Sequence, residues 1–340
     1  MSTDHELRVH RAWIGLLQPV GLVVSPPALL AAQAYPDKNI LKEQQTLLAL
    51  ILPPASKDGD KKAVDRPPLP LSFETLATQV LGWKPSKLAG STSGPTLPES
   101  LALVLPEFGE TLRPTYAVPA VKDDTASNEG AGQWMMLVQE LADGTSFDEP
   151  PAEETKKWHA SPQIRLERLL RETGVPIGIL SNGRFIRLVY APRGESSGHV
   201  TWPVHRLCTT LDRDMLSALC MLLGSARLFA LPRDQRLPHI LKESRRYQNV
   251  VSTKLAGQVL EALNELLRGF QSANEAVKGR LLDATVRADP DHVYGGLLAV
   301  LLRLVFILYA EERGMLSSSA AYVRNYSLVG RGGQIGRAHV

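Results

Sequence analysis

Arginine and lysine side chains are concentrated in two stretches of the sequence. Residues 161–193 hold six basic and two acidic side chains, and residues 225–254 hold seven basic and two acidic ones. Such clusters attract nucleic-acid phosphates whatever the base sequence. The alternative is that each cluster is an ordinary solvated helix face. We interpret both as DNA-contacting segments, and the candidate side chains are Arg165, Arg168, Arg171, Arg184, Arg187, Lys242, Arg245 and Arg246.

Residue types that bind metals are present, but their spacing is not that of a ligand set. The two cysteines, Cys208 and Cys220, form no CxxC pair, and the eight histidines show no regular short spacing. Structural zinc sites place their ligands in closely spaced pairs. The sequence therefore predicts no metal site and no disulfide framework.

A helix and a hairpin are the elements that would position the first arginine cluster. Ser161 fits the N-cap and Pro162 the first turn of a helix over residues 161–173. Asn182-Gly183 between two apolar runs predicts a β-hairpin in which both turn residues adopt positive φ. Helical periodicity dominates before residue 88 and after residue 211.

The length of 340 residues allows about two domains. Apolar residues make up 44% and charged residues 21%, as in globular proteins, and the net charge of +3 permits a nucleic-acid partner. We expect a mixed α/β (α+β) protein. Its predicted parts are an N-terminal helical segment over residues 1–88, an α/β domain over residues 99–210 and a helical connector over residues 211–316.

The two ends and the most apolar stretch set further expectations. Residues 334–340 (QIGRAHV) match a translated sequencing-library adapter, so residues 317–340 are interpreted as a disordered or artefactual tail on a fragment of a longer protein. Residues 295–310 are apolar but interrupted by Arg303, and they are shorter than the ~18–20 residues of a membrane span. The start of the chain shows no leader pattern. We expect a cytoplasmic protein, no membrane partner, and a buried connector helix over residues 293–313.

Four segments together resemble a known family. They are residues 73–83 (FETLATQVLGW), 112–118 (LRPTYAV), 167–190 (ERLLRETGVPIGILSNGRFIRLVY) and 303–315 (RLVFILYAEERGM). They are similar to the N-terminal regions of type IIG/IIL restriction-modification enzymes and of adenine-specific DNA methyltransferases in DISARM- and BREX-like phage defence. The resemblance implies a PD-(D/E)xK nuclease fold or its remnant, then a helical connector, then a methyltransferase domain.

The resemblance also implies where nuclease residues would stand. An Asp and a Glu-x-Lys on neighbouring strands would hold Mg²⁺ and position water. The matching positions carry Thr115, Gln139 and Leu141, and the helix glutamine of the family is matched by Gln163. We interpret the site as degenerate, with no catalytic residue. The alternative is that Glu140, Asp123 or Asp148 replaces the missing carboxylates.

The resemblance suggests a function for the parent protein more than for this chain. No Asn/Asp-Pro-Pro-aromatic adenine loop occurs in the sequence, so S-adenosylmethionine is expected in a missing downstream domain and no cofactor in this chain. We expect a DNA-engaging scaffold of a site-specific adenine-N6 methyltransferase, with double-stranded DNA and other defence-system subunits as partners. The alternatives are an active Mg²⁺-dependent endonuclease domain and a non-enzymatic protein-interaction module.

Overall fold

The computed structural model describes residues 3–52, 68–121, 133–151, 158–209, 212–312, 315–316 and 319–328. Residue contacts divide the chain into two compact units, unit 1 over residues 1–249 and unit 2 over residues 250–340. Unit 1 combines helices with β-sheets, which confirms the mixed α/β fold class. The finer division at residues 88, 210 and 316 and the nuclease-like character of the sheet stay predictions. Residues 334–340, which match the adapter, lie outside the described residues.

Helices precede the sheets of unit 1. In the described residues they are α1 (Thr3–Leu17), α2 (Pro26–Ala31), α3 (Leu41–Ile51) and α4 (Phe73–Thr75). Helix α4 begins where Ser72 accepts a hydrogen bond from the N–H of Thr75, and the chain continues from it as a π-helical turn over Leu76–Val80. The turn ends at Gly82, which has positive φ.

The strands form a hairpin and a larger sheet. The hairpin pairs β1 (Leu103–Leu105) with β2 (Glu110–Leu112). The five-stranded sheet has the order β3 (Tyr116–Pro119), β4 (Trp134–Glu140), β5 (Ile177–Ser181), β6 (Phe185–Tyr190) and β7 (Gly198–Pro203). Neighbouring strands are antiparallel except β4 and β5, which are parallel. A parallel pair needs a crossover connection, and α5 (Pro162–Thr173) lies in it.

The expected helix and hairpin are both present. Helix α5 is capped as predicted, since the Ser161 side chain accepts from the N–H of Ile164, and it ends at Gly174 in the left-handed conformation. The hairpin joins β5 to β6, but the predicted turn chemistry was wrong. Of its two central residues, Gly183 alone has positive φ. Asn182 instead accepts hydrogen bonds from the N–H groups of Arg184 and Phe185, which is an Asx-type turn.

Side chains from the two faces of the five-stranded sheet enter two separate cores. The first core contains Met136, Ile179 and Trp202 from the strands together with side chains from α1–α4 and from α7 (Arg213–Leu223), which follows α6 (Val204–Leu207). The second core contains Leu137 and Leu180 together with α5. The alternation of these residues along β4 and β5 is the period of two expected for strands.

Helix α8 (Leu237–Ala276) begins in unit 1 and extends into unit 2, where α9 (Asp283–Ala288), α10 (Pro290–Glu312) and α11 (Ala320–Asn325) follow. The expectation of a buried connector helix over residues 293–313 was wrong for the described residues. Leu302 and Phe306 of α10 are 60% and 65% exposed.

Helix α10 also changes the membrane argument. Residues 290–311 form one helix that is long and apolar enough to cross a membrane, and little of its most apolar part is buried. The length argument against a span was therefore wrong, because the helix continues beyond residues 295–310 at both ends. A single helix of this kind in the described residues is weak evidence for a membrane segment.

Candidate functional site

The end of β4 and the start of β3 bring two of the predicted positions together. Gln139 donates from Nε2 to Thr115 Oγ1 at 3.3 Å, and the backbone N–H of Glu140 donates to the same hydroxyl oxygen at 2.9 Å. Both side chains are half-buried. Neither carries charge, so this pair lacks the carboxylates that Mg²⁺ prefers.

Glu140 lies next to this pair, but its carboxylate is bound elsewhere. Oε1 accepts from the backbone N–H of Phe73 at 2.8 Å, and Oε2 accepts from the hydroxyl of Tyr116 at 2.8 Å. The N–H of Phe73 is in the first turn of α4, where the helix offers it no carbonyl partner. Burial, with the Glu140 carboxylate, raises the pKa of Tyr116 well above its usual value. Glu140 therefore fixes the start of α4 to the sheet.

Leu141 and Gln163 take structural positions. Leu141 packs against the second core, and its N–H donates to the carbonyl of Ser181 at 2.7 Å. Gln163 is buried at the start of α5, where it donates to Glu167 at 2.8 Å and accepts from Arg187 at 3.3 Å. The structure thus places Gln163 beside an arginine from β6.

Arg187 is a buried arginine that holds several polar side chains together. It forms two hydrogen bonds with the Asp148 carboxylate, at 2.6 and 2.8 Å, and a third with the hydroxyl of Thr201 at 2.8 Å. Its guanidinium also lies over the ring of Phe147 at 4.9 Å. Hydrogen bonding to Arg187 lowers the pKa of Asp148. The alternative residue Asp148 is thus bound to a cation, and Asp123 lies outside the described residues.

The α5 arginines hold the β1–β2 hairpin. Arg165 pairs with Glu110 at 2.6 Å, and Arg168 pairs with Glu107 at 2.6 Å. Both guanidinium groups lie within 5.3 Å of the centre of the Trp158 ring. Arg171 pairs with Glu167 one turn away, at 3.4 Å. Arg168 and Arg171 keep more than a third of their side-chain surface exposed.

The remaining candidates differ in how accessible they are. Arg184, beside the hairpin turn, is half-exposed and paired with Asp143. Arg245 is 9% exposed and donates to the carbonyl of Ser196 at 2.6 Å. Arg246 is 75% exposed with one weak contact to Glu243 at 3.6 Å, and Lys242 is exposed. DNA binding by these residues stays a prediction. The candidates whose side chains remain at least partly exposed are Arg168, Arg171, Arg184, Lys242 and Arg246.

Arg113 is a basic residue outside both predicted clusters. It stands two residues before Thr115 and is exposed. In the part of the chain that the structure describes, it makes neither an ion pair nor a side-chain hydrogen bond. The sequence motif RPTYA could have indicated Arg113 as a candidate site residue, because it places this arginine two positions before the predicted site residue Thr115.

Other reactive groups lie apart from the sheet edge. Burial raises the pKa of the Cys208 thiol to about 11 and that of Cys220 to about 12, so both are protonated at neutral pH. Within the described ranges, no group of three or more His, Cys, Asp or Glu side chains could hold a metal ion.

Comparison with known proteins gives one family. The model of the family described as "MmeI, N-terminal domain" matches residues 78–269, which is more than half of the chain. The matched region includes both sheets and α5 to α7, and it ends within α8. Neither a curated protein nor a solved structure matches the chain.

Proposed function

The chain belongs to the MmeI N-terminal domain family of type IIG restriction-modification enzymes, and from this premise we propose that it is the DNA-engaging part of a site-specific adenine-N6 DNA methyltransferase. The observation that carries the proposal is the family match over residues 78–269, which covers the sheet edge and all of both basic clusters. We place the parent protein in a cytoplasmic restriction-like defence system of the DISARM or BREX kind, where other subunits would be its partners.

The contacts at the sheet edge support a role without nuclease chemistry. Thr115, Gln139 and Leu141 supply no negative charge, and the nearby carboxylates of Glu140 and Asp148 are bound to Tyr116 and Arg187. A Mg²⁺ ion needs several oxygen ligands, with carboxylates among them, to support attack on a phosphodiester. An active endonuclease domain is therefore the weaker alternative.

Methyl transfer would belong to another part of the parent protein. The adenine loop Asn/Asp-Pro-Pro-aromatic does not occur among residues 1–340. That loop holds the flipped adenine by hydrogen bonds and stacking. We propose that S-adenosylmethionine binds a domain outside this sequence, and that this chain contributes DNA affinity and scaffolding.

DNA contact would come from exposed cations rather than from the buried ones. Lys242 and Arg246 lie four positions apart on α8, so they share one face of the helix. A protein that makes four to six phosphate contacts loses on the order of a hundredfold or more in affinity between low and physiological salt. The decisive experiment measures binding to a short duplex by fluorescence anisotropy at several salt concentrations.

The variant Lys242→Ala/Arg246→Ala should reduce the slope of log K against log[salt] by about two, because each lost phosphate contact releases one counterion fewer. The matched control is Arg268→Ala, which also removes an arginine that is 75% exposed on α8. An unchanged slope in the double variant would show that this face of α8 is only solvated.

A protein-interaction module is the second candidate, and the surface of α10 favours it. Tyr294, Leu302, Val305, Phe306 and Tyr309 are all between 48% and 65% exposed. Apolar surface of this extent on a described helix is typical of an interaction site. If the duplex fails to bind the unchanged chain, this candidate becomes the better account.

A further inference from the structure

Three hydrogen-bond donors lie at the end of the sheet where β4 finishes. They belong to Thr115 (hydroxyl), to Gln139 (side-chain amide) and to the exposed Arg113, which stands two residues before Thr115. We call them the sheet-edge donors. Thr115 and Gln139 are joined by the 3.3 Å hydrogen bond, and Arg113 is two residues away along the chain. No carboxylate belongs to the group.

Thr115 and Arg113 retain hydrogens for an outside partner, and the two amide hydrogens of Gln139 are held in long contacts only. The oxygen of the Thr115 hydroxyl accepts from Gln139 and from the N–H of Glu140, so its own O–H hydrogen takes part in neither bond. The Gln139 amide has two hydrogens, and its contacts with Thr115 and with the carbonyl of Glu140 at 3.3 and 3.4 Å are long. Arg113 offers five N–H donors and is exposed.

The acidic groups near this end of the sheet are already neutralised or bound. Glu140 accepts from Phe73 and Tyr116. Asp143 pairs with Arg184, and Asp148 pairs with Arg187. Strand register also aligns Gln139 with Leu180 and then with Arg187, the arginine that pairs with Asp148. Two of these carboxylates are thus compensated by an arginine, and the third, Glu140, keeps its charge while both of its oxygens accept hydrogen bonds from Phe73 and Tyr116.

We propose that the sheet-edge donors bind a DNA backbone phosphate directly, without a metal ion. The inference rests on the proposed DNA engagement and adds a specific place for it. Carboxylates at these positions would need a divalent cation between themselves and a phosphate, whereas a hydroxyl, an amide and a guanidinium hydrogen-bond to phosphate oxygens themselves. Such a contact fixes the position of the duplex and carries no base specificity.

The test uses duplex binding in the presence of EDTA, with the full chain. Thr115→Asp keeps an oxygen acceptor for Gln139 and Glu140 and adds one negative charge, whereas Thr115→Asn adds none. Arg113→Ala removes the guanidinium. The control is Arg268→Ala, which removes an arginine that is 75% exposed and lies outside both basic clusters.

We expect Thr115→Asp to weaken binding about tenfold and Thr115→Asn to leave it within about twofold. Arg113→Ala should weaken binding by roughly threefold to tenfold and lower the salt slope by about 0.9. Arg268→Ala should change neither quantity. If Thr115→Asp does not fold, Arg113→Ala decides the matter alone.

The outcomes separate this inference from the proposed function. Suppose that the unchanged chain binds DNA and Lys242→Ala/Arg246→Ala weakens it, while Arg113→Ala and Thr115→Asp bind normally. The sheet-edge site is then wrong and the proposed function stands. If the unchanged chain does not bind duplex DNA at any salt concentration, both are overturned.

Discussion

Replacing Glu140 by alanine should destabilise unit 1 strongly, because this carboxylate joins the start of α4 to the sheet. The substitution leaves the N–H of Phe73 and the hydroxyl of Tyr116 without their acceptor. A hydrogen bond to a charged group contributes about 1.5–3 kcal/mol, and a buried polar group left unpaired costs a similar amount. Because Glu140 is half-buried and water can reach part of it, we expect a loss of about 3 kcal/mol.

The loss should appear as a lower unfolding temperature. For a unit of this size, 1 kcal/mol corresponds to about 2–4 °C, so the transition of unit 1 should move down by roughly 6–12 °C in scanning calorimetry. Tyr116→Phe removes one of the two contacts and should cost about 1 kcal/mol. The control is Glu172→Ala, since Glu172 is exposed on α5 and makes no side-chain hydrogen bond in the described residues.

A double-mutant cycle isolates the contact itself. Glu140→Ala combined with Tyr116→Phe should cost about 1 kcal/mol less than the two single losses added together, because the second change removes a bond already broken. Strict additivity, or a Glu140→Ala protein that unfolds within about 2 °C of the unchanged one, would refute the structural role given to this carboxylate.

Two further outcomes are expected. His10 is fully buried, its Nδ1 accepts a hydrogen bond from Trp13 Nε1 at 3.1 Å, and burial lowers its pKa. The free energy of unfolding should therefore be highest above the unfolded-state pKa of about 6.5 and should fall as the pH drops below it, because the unfolded chain then binds the proton more readily. The variant His10→Gln should make the urea midpoint depend less on pH between about pH 7 and 5. Plasmid DNA incubated with the chain and Mg²⁺ or Mn²⁺ should stay supercoiled on a gel, because the described residues at the sheet edge form no carboxylate cluster that could hold the ion. Nicking that Asp148→Asn abolishes would contradict this.

Local signals in the sequence predicted the elements that depend on local chemistry. Ser161 and Pro162 identified the start of α5, and Asn182-Gly183 identified the hairpin, because capping and turn preferences act over three or four residues. Strand β2 and strand β7 were not predicted. Strand β2 is three residues long, and β7 alternates regularly but begins at a glycine and ends at Pro203, two residue types that are depleted in strands.

The accessibility of the arginines could not be predicted from composition. Arg165 and Glu110 are 55 positions apart, Arg187 and Asp148 are 39 apart, and Arg245 and Ser196 are 49 apart. Such pairs form only when the tertiary structure brings distant segments together. A count of basic residues treats a buried, paired arginine and an exposed one alike, whereas only the exposed one can reach a phosphate without breaking a contact.

The division into two units has a spectroscopic consequence. Trp13, Trp83, Trp134, Trp158 and Trp202 are the five tryptophans of the chain, and every one of them lies in unit 1. Trp13, Trp83 and Trp202 are at most 2% exposed, so their emission should shift to longer wavelength when the core opens. Indole fluorescence excited at about 295 nm therefore follows the sheet-containing unit alone, while far-ultraviolet circular dichroism also records the helices of unit 2. Recorded on one sample, the two signals separate the melting of one unit from that of the other without cutting the chain.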